Sequence, residues 1–499
     1  MQRRTFLRQT ISTGAAALLP AASLWPQFAP AKNIQAELPA LHGNGQAFSL
    51  QAAEIRELAG ALNGPLLTAQ DAAYGEVRRV WNGMIDRRPA LIARCTTIAD
   101  IQTAVQFAAS HELLVAVRGG GHSISGKAVC DAGLMIDLSL MRGVAVNTAS
   151  QTATAGPGIL LGELDAATQA VGLVTTAGTV SHTGAAGLTL GGGFGRTCRK
   201  FGLTCDNLTR ARLVTATGDL IQVSEAENPD LLWGLRGGGG NFGVVGSFDY
   251  QLHAMDPMIL GGTVSFPFEQ AAEVLRNYAD FCAGAPDELN TDWTIVAPRG
   301  QRALVSVEAC YIGDEDRGEK LIAQLQSFGK PLVSRIRRMA YLKLQRRIDG
   351  STPHGGRYYM KSGFVPAIEP AMISALLEQY RLKPGMTLVV TFQQLGGAVG
   401  RVPLDATAFS HRDAAYSLLV MAGWQDNAVD ASNIAEVRRY WRALEPHIQG
   451  FYVNSISRED EPRVQANYRG NYPRLAQLKS RYDPANLFRL NANVKPAAG

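Results

Sequence analysis

Three glycine-rich stretches constrain this chain more than any other feature. The first, Val115-Ala116-Val117-Arg118-Gly119-Gly120-Gly121-His122-Ser123, is a short β-branched run that breaks into glycines and then presents a histidine. The second runs from Thr176 to Gly195 and holds seven glycines. The third is Gly237-Gly238-Gly239-Gly240-Asn241-Phe242-Gly243. Glycine has no Cβ and reaches positive φ cheaply, so backbone N–H groups in such loops can close on an anion or a flat ligand. A flexible linker would also be glycine-rich. Yet Leu188, Leu190 and Phe194 in the second stretch are apolar, and no Ser or Lys run accompanies them. We read these stretches as backbone wrapped around a ligand. His122 is then a nucleophile beside whatever the first loop holds; its plain alternative is a hydrogen-bonded turn histidine.

At 499 residues the chain is too long for one core, and two or three domains are expected. The net charge of +5 is small over this length, and no Lys/Arg stripe carries interleaved aromatics, which argues against a nucleic-acid partner. Past the N-terminus no apolar run is long enough to span a membrane. The six cysteines include no CxxC pair, so neither a metal site nor an iron–sulfur cluster is expected; they read as small buried hydrophobes. Residues 1–31 resemble a twin-arginine export signal. Arg3-Arg4 precedes Phe6-Leu7, an apolar run follows at Ala15 to Leu19, and Ala29-Pro30-Ala31 suits cleavage. That implies a periplasmic or secreted protein, exported folded.

Residues 32–85 are expected to be a lead-in, with a helix from Ala52 to Leu62. Residues 86–252 alternate short strands and helices around the glycine loops. Leu91 to Arg94 and Leu134 to Leu138 read as strands, and Thr97-Ile98-Ala99-Asp100 reads as a capping box for a helix ending at His111. The pair Leu213 to Thr215 and Leu220 to Val223 reads as a hairpin. From 253 to 445 glycine loops become rare. Strand-like runs (Gly262 to Phe266, Leu304 to Ala309, Met386 to Gln393) alternate with amphipathic helices, which implies an antiparallel sheet covered by helices. Residues 446–499 are a polar tail with Tyr452-Val453-Asn454, Tyr468 and Asp483-Pro484-Ala485-Asn486-Leu487-Phe488.

Five blocks in this order resemble the berberine bridge enzyme-like branch, including 6-hydroxy-D-nicotine oxidase and sugar oxidases, of the vanillyl-alcohol oxidase / p-cresol methylhydroxylase superfamily. They are Val117 to Ser123, Gly178 to Gly195, Phe201-Gly202-Leu203 with Asp206-Asn207, Arg236 to Val245, and the tail motifs just named. The resemblance runs from about Arg88 to Pro496 and implies an α+β fold. A two-subdomain p-cresol methylhydroxylase-type FAD-binding domain would be joined by an α+β substrate domain with an antiparallel sheet, and the tail would return to the FAD domain. It implies FAD bonded covalently through His122. Arg118, Gly119, Gly120, Gly121 and Ser123 would surround the pyrophosphate, and Gly178, Thr179, Gly184 and Gly187 would line the cofactor. Val245 would touch the adenosine side, and Asn454 and Asn491 would offer polar contacts, with Asn493 a further candidate. Doubly linked relatives carry a cysteine where this chain has Val180, so a single link is expected. Thr183 stands about where the family controls oxygen access.

The family draws its catalytic base from Tyr, Glu or Asp at differing positions. Tyr452 and Tyr468 are the candidates here, with Arg469 to lower the phenol's pKa. Tyr358, Gln393, His354 and His182 are further pocket candidates. The expected activity is an FAD-dependent oxidoreductase, an oxidase or dehydrogenase that moves hydride from an alcohol or amine C–H of a small molecule to the flavin. Reoxidation would be by O2, giving H2O2, or by another acceptor. A flavin-binding electron-transfer module with little turnover is the alternative. A nicotinamide-binding Rossmann enzyme is disfavoured, because no G-x-G-x-x-G follows a strand, opens a helix and precedes a suitably spaced acid.

Overall fold

The structure, a computed structural model, describes residues 36–297, 302–381 and 383–497. The candidate export signal lies outside them. Three sheets organise the chain. In the first, the fully buried strand Leu91–Arg94 pairs in parallel with Leu134–Asp137, which pairs in parallel with Val115–Arg118. Burial on both faces explains why these strands are nearly continuous apolar runs. Helix Ile98–Ser110 makes the crossover. The Thr97 hydroxyl accepts from the Asp100 N–H at 3.2 Å, and the Asp100 carboxylate accepts from the Thr97 N–H at 3.0 Å.

The segment expected to be a lead-in is part of this unit. Leu66–Leu67 adds an antiparallel strand beside Leu91–Arg94, and helix Ala52–Ala61 packs on helix Ile98–Ser110. Further along, Trp81 and Gly83 bind the substrate-domain loop that precedes strand Arg357–Val365. Trp81 Nε1 donates to the Thr352 carbonyl at 2.8 Å, and the Gly83 N–H donates to the Gly356 carbonyl at 2.7 Å. A boundary at 85 therefore cuts through a folded unit. Sequence reading misses this because a two-residue strand has no periodicity to detect.

The second sheet is antiparallel, in the order Leu220–Ser224, Leu208–Val214, Val244–Gln251, Thr152–Ala155, Val144–Asn147. The third has eight strands between Met258 and Trp424, again antiparallel. One face of it packs under helices Ala271–Ala283, Pro370–Gln379 and Asp430–Leu444 around Phe266, Tyr278, Trp293, Phe392 and Val420. The other face turns toward the glycine loops.

After helix Asp430–Leu444 the chain returns to the second sheet. Tyr468, Leu475 and Leu478 join its apolar core. Lys479 and Asp483 form a fully buried pair at 2.6 Å. The ammonium also donates to the carbonyls of Asn241 (2.8 Å) and Phe488 (3.0 Å), while Asp483 accepts the N–H groups of Leu487 (2.7 Å) and Phe488 (2.9 Å). A buried ion pair is tolerable only when its remaining valences are met in this way. The Asp483 to Phe488 motif is thus a clamp on the third glycine loop.

Candidate functional site

Where the three sheets meet lies a cavity of about 400 Å³, lined on one side by the glycine loops and on the other by the third sheet. The first two glycine stretches cross backbone to backbone. A Cβ on Gly120 would stand 2.4 Å from Gly184 Cα, and one on Gly184 would stand 2.5 Å from Gly120 N. Most of the second stretch needs glycine for similar internal reasons. A Cβ on Gly195 would meet the Ala177 carbonyl at 1.9 Å, and one on Gly191 would overlap the Asn454 amide. Gly187 and Gly240 differ. Both line the cavity, and nothing lies within 4 Å of the Cβ either would carry. At those two positions glycine leaves the cavity, not a neighbouring chain, room. The second stretch also contains a six-residue helix, Ala185–Leu190, where irregular backbone was expected.

Of the residues anticipated as ligand-binding, Gly119, Gly120, Gly121, His122, Ser123, Gly178, Thr179, Thr183, Gly184, Gly187, Val245, Asn454 and Asn491 all line the cavity. Val180 does too, so the position of the absent second tether faces the same space. Arg118 does not. Its guanidinium turns back to the Val77 carbonyl and toward Asp137 at 3.9 Å. Asn454 donates to the Leu188 carbonyl (3.2 Å) and the Tyr452 hydroxyl (2.7 Å). Asn491 donates to the Gly240 carbonyl at 2.8 Å, which leaves its Oδ1 buried and partnerless, as is that of Asn493.

His122 stacks on Trp81 with ring centroids 4.3 Å apart, and Trp81 stacks on Tyr358 at 4.1 Å. The imidazole Nε2 is buried with no partner. Burial first, then the neighbouring His182 and His354, lower its pKa to about 3, so the ring is neutral at physiological pH and keeps a nucleophilic lone pair. The sandwiching Trp81 lies in the segment that carried no expected function.

The two tyrosines expected to act as base part company. Tyr452 lines the cavity, and its hydroxyl accepts from the Gly193 N–H (3.1 Å) and from Asn454. Burial pushes its pKa upward. Tyr468 is 1% exposed in the apolar core and stands outside the cavity lining, its hydroxyl partnerless. Arg469 activates neither, because its guanidinium bonds Asp413 (2.8 Å) and Gln449 (2.7 Å).

The third sheet also holds a carboxyl group that the sequence does not single out, paired in register with the lining residue Gln393 but not itself in the cavity lining. Cross-strand register sets Glu308, Asp292, Gln393 and Ser417 in one row of the third sheet. Gln393 and Ser417 line the cavity, as do Ser362 and Met360 on the next strand. Glu308 is held by Arg196 (2.7 Å) and Arg347 (2.7 Å), which keep its pKa low against the pull of burial. Asp292 has no such ion pair at contact distance among the described residues and is not sealed from solvent. Burial, then the charge of Glu308, raise it to about 7, against the pull of the two arginines and a hydrogen bond from Gln393. The same arginine ties the sheet to the second glycine stretch. Arg196 donates to Gln345 (2.8 Å), and Gln345 donates to Asp165 (3.0 Å) and the Gly178 carbonyl (3.2 Å). In the sequence only an alternating pattern marks this row, and alternation does not say which strands become neighbours.

The cavity suits a dinucleotide flavin. It offers a neutral imidazole, two glycines whose missing Cβ atoms leave open space, and the buried partnerless carbonyl of Asn491; Asn493 lies outside the lining. All six cysteines are buried free thiols, and no group of metal-ligating side chains occurs among the described residues. No helix among them is long and apolar enough to cross a membrane.

The FAD-binding domain family model matches residues 89–224, and the berberine and berberine-like model matches residues 451–495. An FAD-linked oxidoreductase of Dictyostelium discoideum is 34% identical over 451 residues, covering 89% of this chain and 97% of that protein. The crystal structure of 6-hydroxy-D-nicotine oxidase from Arthrobacter nicotinovorans superposes with a TM-score of 0.81 at 29% identity, over 87% of this chain and 98% of the other. Xylooligosaccharide oxidase from Myceliophthora thermophila, in complex with xylobiose, also gives 0.81, at 25% identity over 90% and 100%. The fold is therefore the vanillyl-alcohol oxidase-type α+β architecture, and the chain belongs to the berberine bridge enzyme-like FAD-linked oxidoreductases.

Proposed function

We propose that this enzyme holds FAD covalently through His122 and oxidises an alcohol or amine carbon of a small polar molecule, passing the electrons to O2 with release of H2O2 or to another acceptor. The observation that carries the reading is the neutral His122 at the wall of a glycine-lined cavity whose opposite wall is a polar sheet face. When bound, FAD supplies the hydride acceptor. Gly119 to Gly121 would approach the pyrophosphate by backbone, Gly187 and Gly240 would give the cofactor room, and Asn454 would meet the ring edge. Val180 offers no thiol, so His122 is the single tether.

Toward the substrate, Gln393, Ser362 and Ser417 present hydrogen-bonding groups, and Met360 and Leu419 apolar contact. Asp292 is the group we assign to take the O–H or N–H proton. A carboxyl poised near 7 is matched to that task at neutral pH. Tyr452, held as a neutral phenol, orients the substrate by hydrogen bonding and does not take the proton. Thr183 lines the cavity, where the family controls oxygen access, and its size is compatible with reaction with O2. The Arg3-Arg4 leader supports export to the periplasm in folded form, which cell fractionation with and without an Arg3→Lys/Arg4→Lys pair would test.

The central test is the absorbance of purified protein before and after acid precipitation, followed by an anaerobic screen of sugars, secondary amines and aromatic alcohols. Flavin colour staying in the pellet, lost in His122→Ala, and bleached by one substrate class is the expected result. Colour released by acid from the wild type would overturn the covalent link. A tightly held flavin that no donor bleaches would favour an electron-transfer module.

A further inference from the structure

Beside His122 lies a second histidine for which the flavin-binding role gives no account. His182 sits in the second glycine stretch, and both of its ring nitrogens are buried without a hydrogen-bond partner. A neutral imidazole always carries one N–H and one lone pair, so in either tautomer His182 presents an unused proton acceptor. Its ring centroid is 5.1 Å from that of His122 and 5.0 Å from that of His354, and His354 stands edge-on to His122 at 6.4 Å. Leaving buried polar atoms unsatisfied costs about 1–3 kcal/mol each, so three orphan nitrogens on two adjacent rings call for a use.

Resting on the reading that His122 carries the flavin, we propose that His182 is the positioning base for that attachment, accepting the Nε2 proton of His122 and passing it toward His354. Nε2 of His122 is buried without a partner; in the tautomer that holds its proton there, Nδ1 carries the lone pair that would bond the cofactor, and the Nε2 proton must leave. Attachment replaces one C–H bond of the flavin 8α-methyl group with a C–N bond to Nδ1. The C–H electron pair enters the flavin ring. Dioxygen then takes that pair together with the methyl proton and the Nε2 proton, giving hydrogen peroxide. His182 serves the second of those protons. The imidazoles pack against one another and Trp81 stacks on His122; Arg118 acts on His354, and Asp349 bonds Ser181, the residue before His182. Among the described residues no carboxylate bonds His122, so a neutral imidazole is the acceptor at hand.

The test uses the full chain, freed of flavin during expression and then supplied with FAD in air. Whole-protein mass and acid-stable absorbance follow the covalent adduct, and fluorescence quenching follows non-covalent binding. In His182→Gln we expect attachment to slow about tenfold or more with non-covalent binding retained. In His182→Ala, added imidazole should restore the rate, more strongly as the pH rises through the range where free imidazole becomes neutral. Attachment at the wild-type rate in both variants would overturn the proposal, as would loss of non-covalent binding in both, which would mean that His182 only shapes the cavity. A wild-type chain that never forms the adduct would instead remove the reading of His122, a separately visible outcome.

Discussion

The two walls of the cavity are made in different ways. The wall formed by residues 119–122 and 178–195 is backbone: its shape comes from chain segments that approach so closely that side chains are excluded, as where Gly120 meets Gly184. The wall formed by the third sheet is side chain: Gln393, Ser417, Ser362 and, beside them, Asp292 are brought together by the register of strands far apart in the chain. A wall made of backbone tolerates almost no substitution but has little chemical choice. A wall made of side chains can be changed residue by residue without disturbing the sheet, because the hydrogen bonds that hold the strands are independent of what projects from them.

Substitutions can break this contrast in order of effect. Gly120→Ala forces a Cβ to within 2.4 Å of Gly184 Cα, so the loops must part. We expect destabilisation at the upper end of the ~1–3 kcal/mol typical of overpacking, or beyond it, and no retained flavin. Thermal unfolding and flavin content would check this. A stable yellow Gly120→Ala protein would show that the backbone wall is softer than its packing implies.

Next to the opposite wall, beside Gln393, Asp292→Asn should leave folding intact and slow anaerobic flavin reduction by roughly 10²–10⁴-fold. In the wild type that rate should rise with pH along a limb near 7, the limb vanishing in the variant. Stability should move in the opposite sense. The Asp292 carboxyl is raised in the fold above its unfolded value, so the native state holds its proton more tightly. That contribution is present below the unfolded value near ~3.9 and is lost as pH rises toward about 7. Urea titrations at several pH values should show a flatter profile for Asp292→Asn, and an unchanged slope would mean that Asp292 is not the group responsible.

A milder comparison sets Tyr452→Phe against Tyr468→Phe. The first removes the acceptor of the Gly193 and Asn454 bonds and should cost about 0.5–1.5 kcal/mol per bond as well as slowing substrate oxidation. The second removes a partnerless buried hydroxyl, so turnover should be unchanged and stability equal or slightly higher. Reduced turnover in Tyr468→Phe would return that residue to the site.

The smallest effect is expected for Gly187→Ala. Helical alanine is favoured over glycine by about 0.5–1 kcal/mol, and its Cβ meets no protein atom. The flavin-free protein should gain slightly in melting temperature while binding FAD more weakly. Gly120 and Gly187 would then fail for opposite reasons, one through the fold and the other through the ligand.

Much of the first wall is legible in the amino-acid sequence. Glycines are conspicuous, and the capping box at Thr97 and the β-branched strand leading into Gly119 are local signals, each contained within a few residues. His122 stands out because it follows the loop directly. The partner of that histidine does not. Trp81 stacks on it from a segment that reads as a lead-in, and a stack between residues so separated in the chain leaves no periodic trace. Tyr468 shows the converse error: an aromatic in a polar tail reads as functional but belongs to the core, because burial is decided by what packs around a residue and not by its flanks.

The order of residues alone sufficed for most of the elements, the resemblance to FAD-linked oxidoreductases and the singling out of the histidine expected to hold the cofactor. These depend on short-range backbone preferences and on motifs contiguous in the chain. The row that sets Asp292 beside Glu308 and Gln393, the separation of Tyr452 from Tyr468 and the clustering of His122, His182 and His354 were decided only by the tertiary fold. Sheet register and burial depend on which distant segments meet, and the electrostatics that raise Asp292 and keep His122 neutral exist only once they have met.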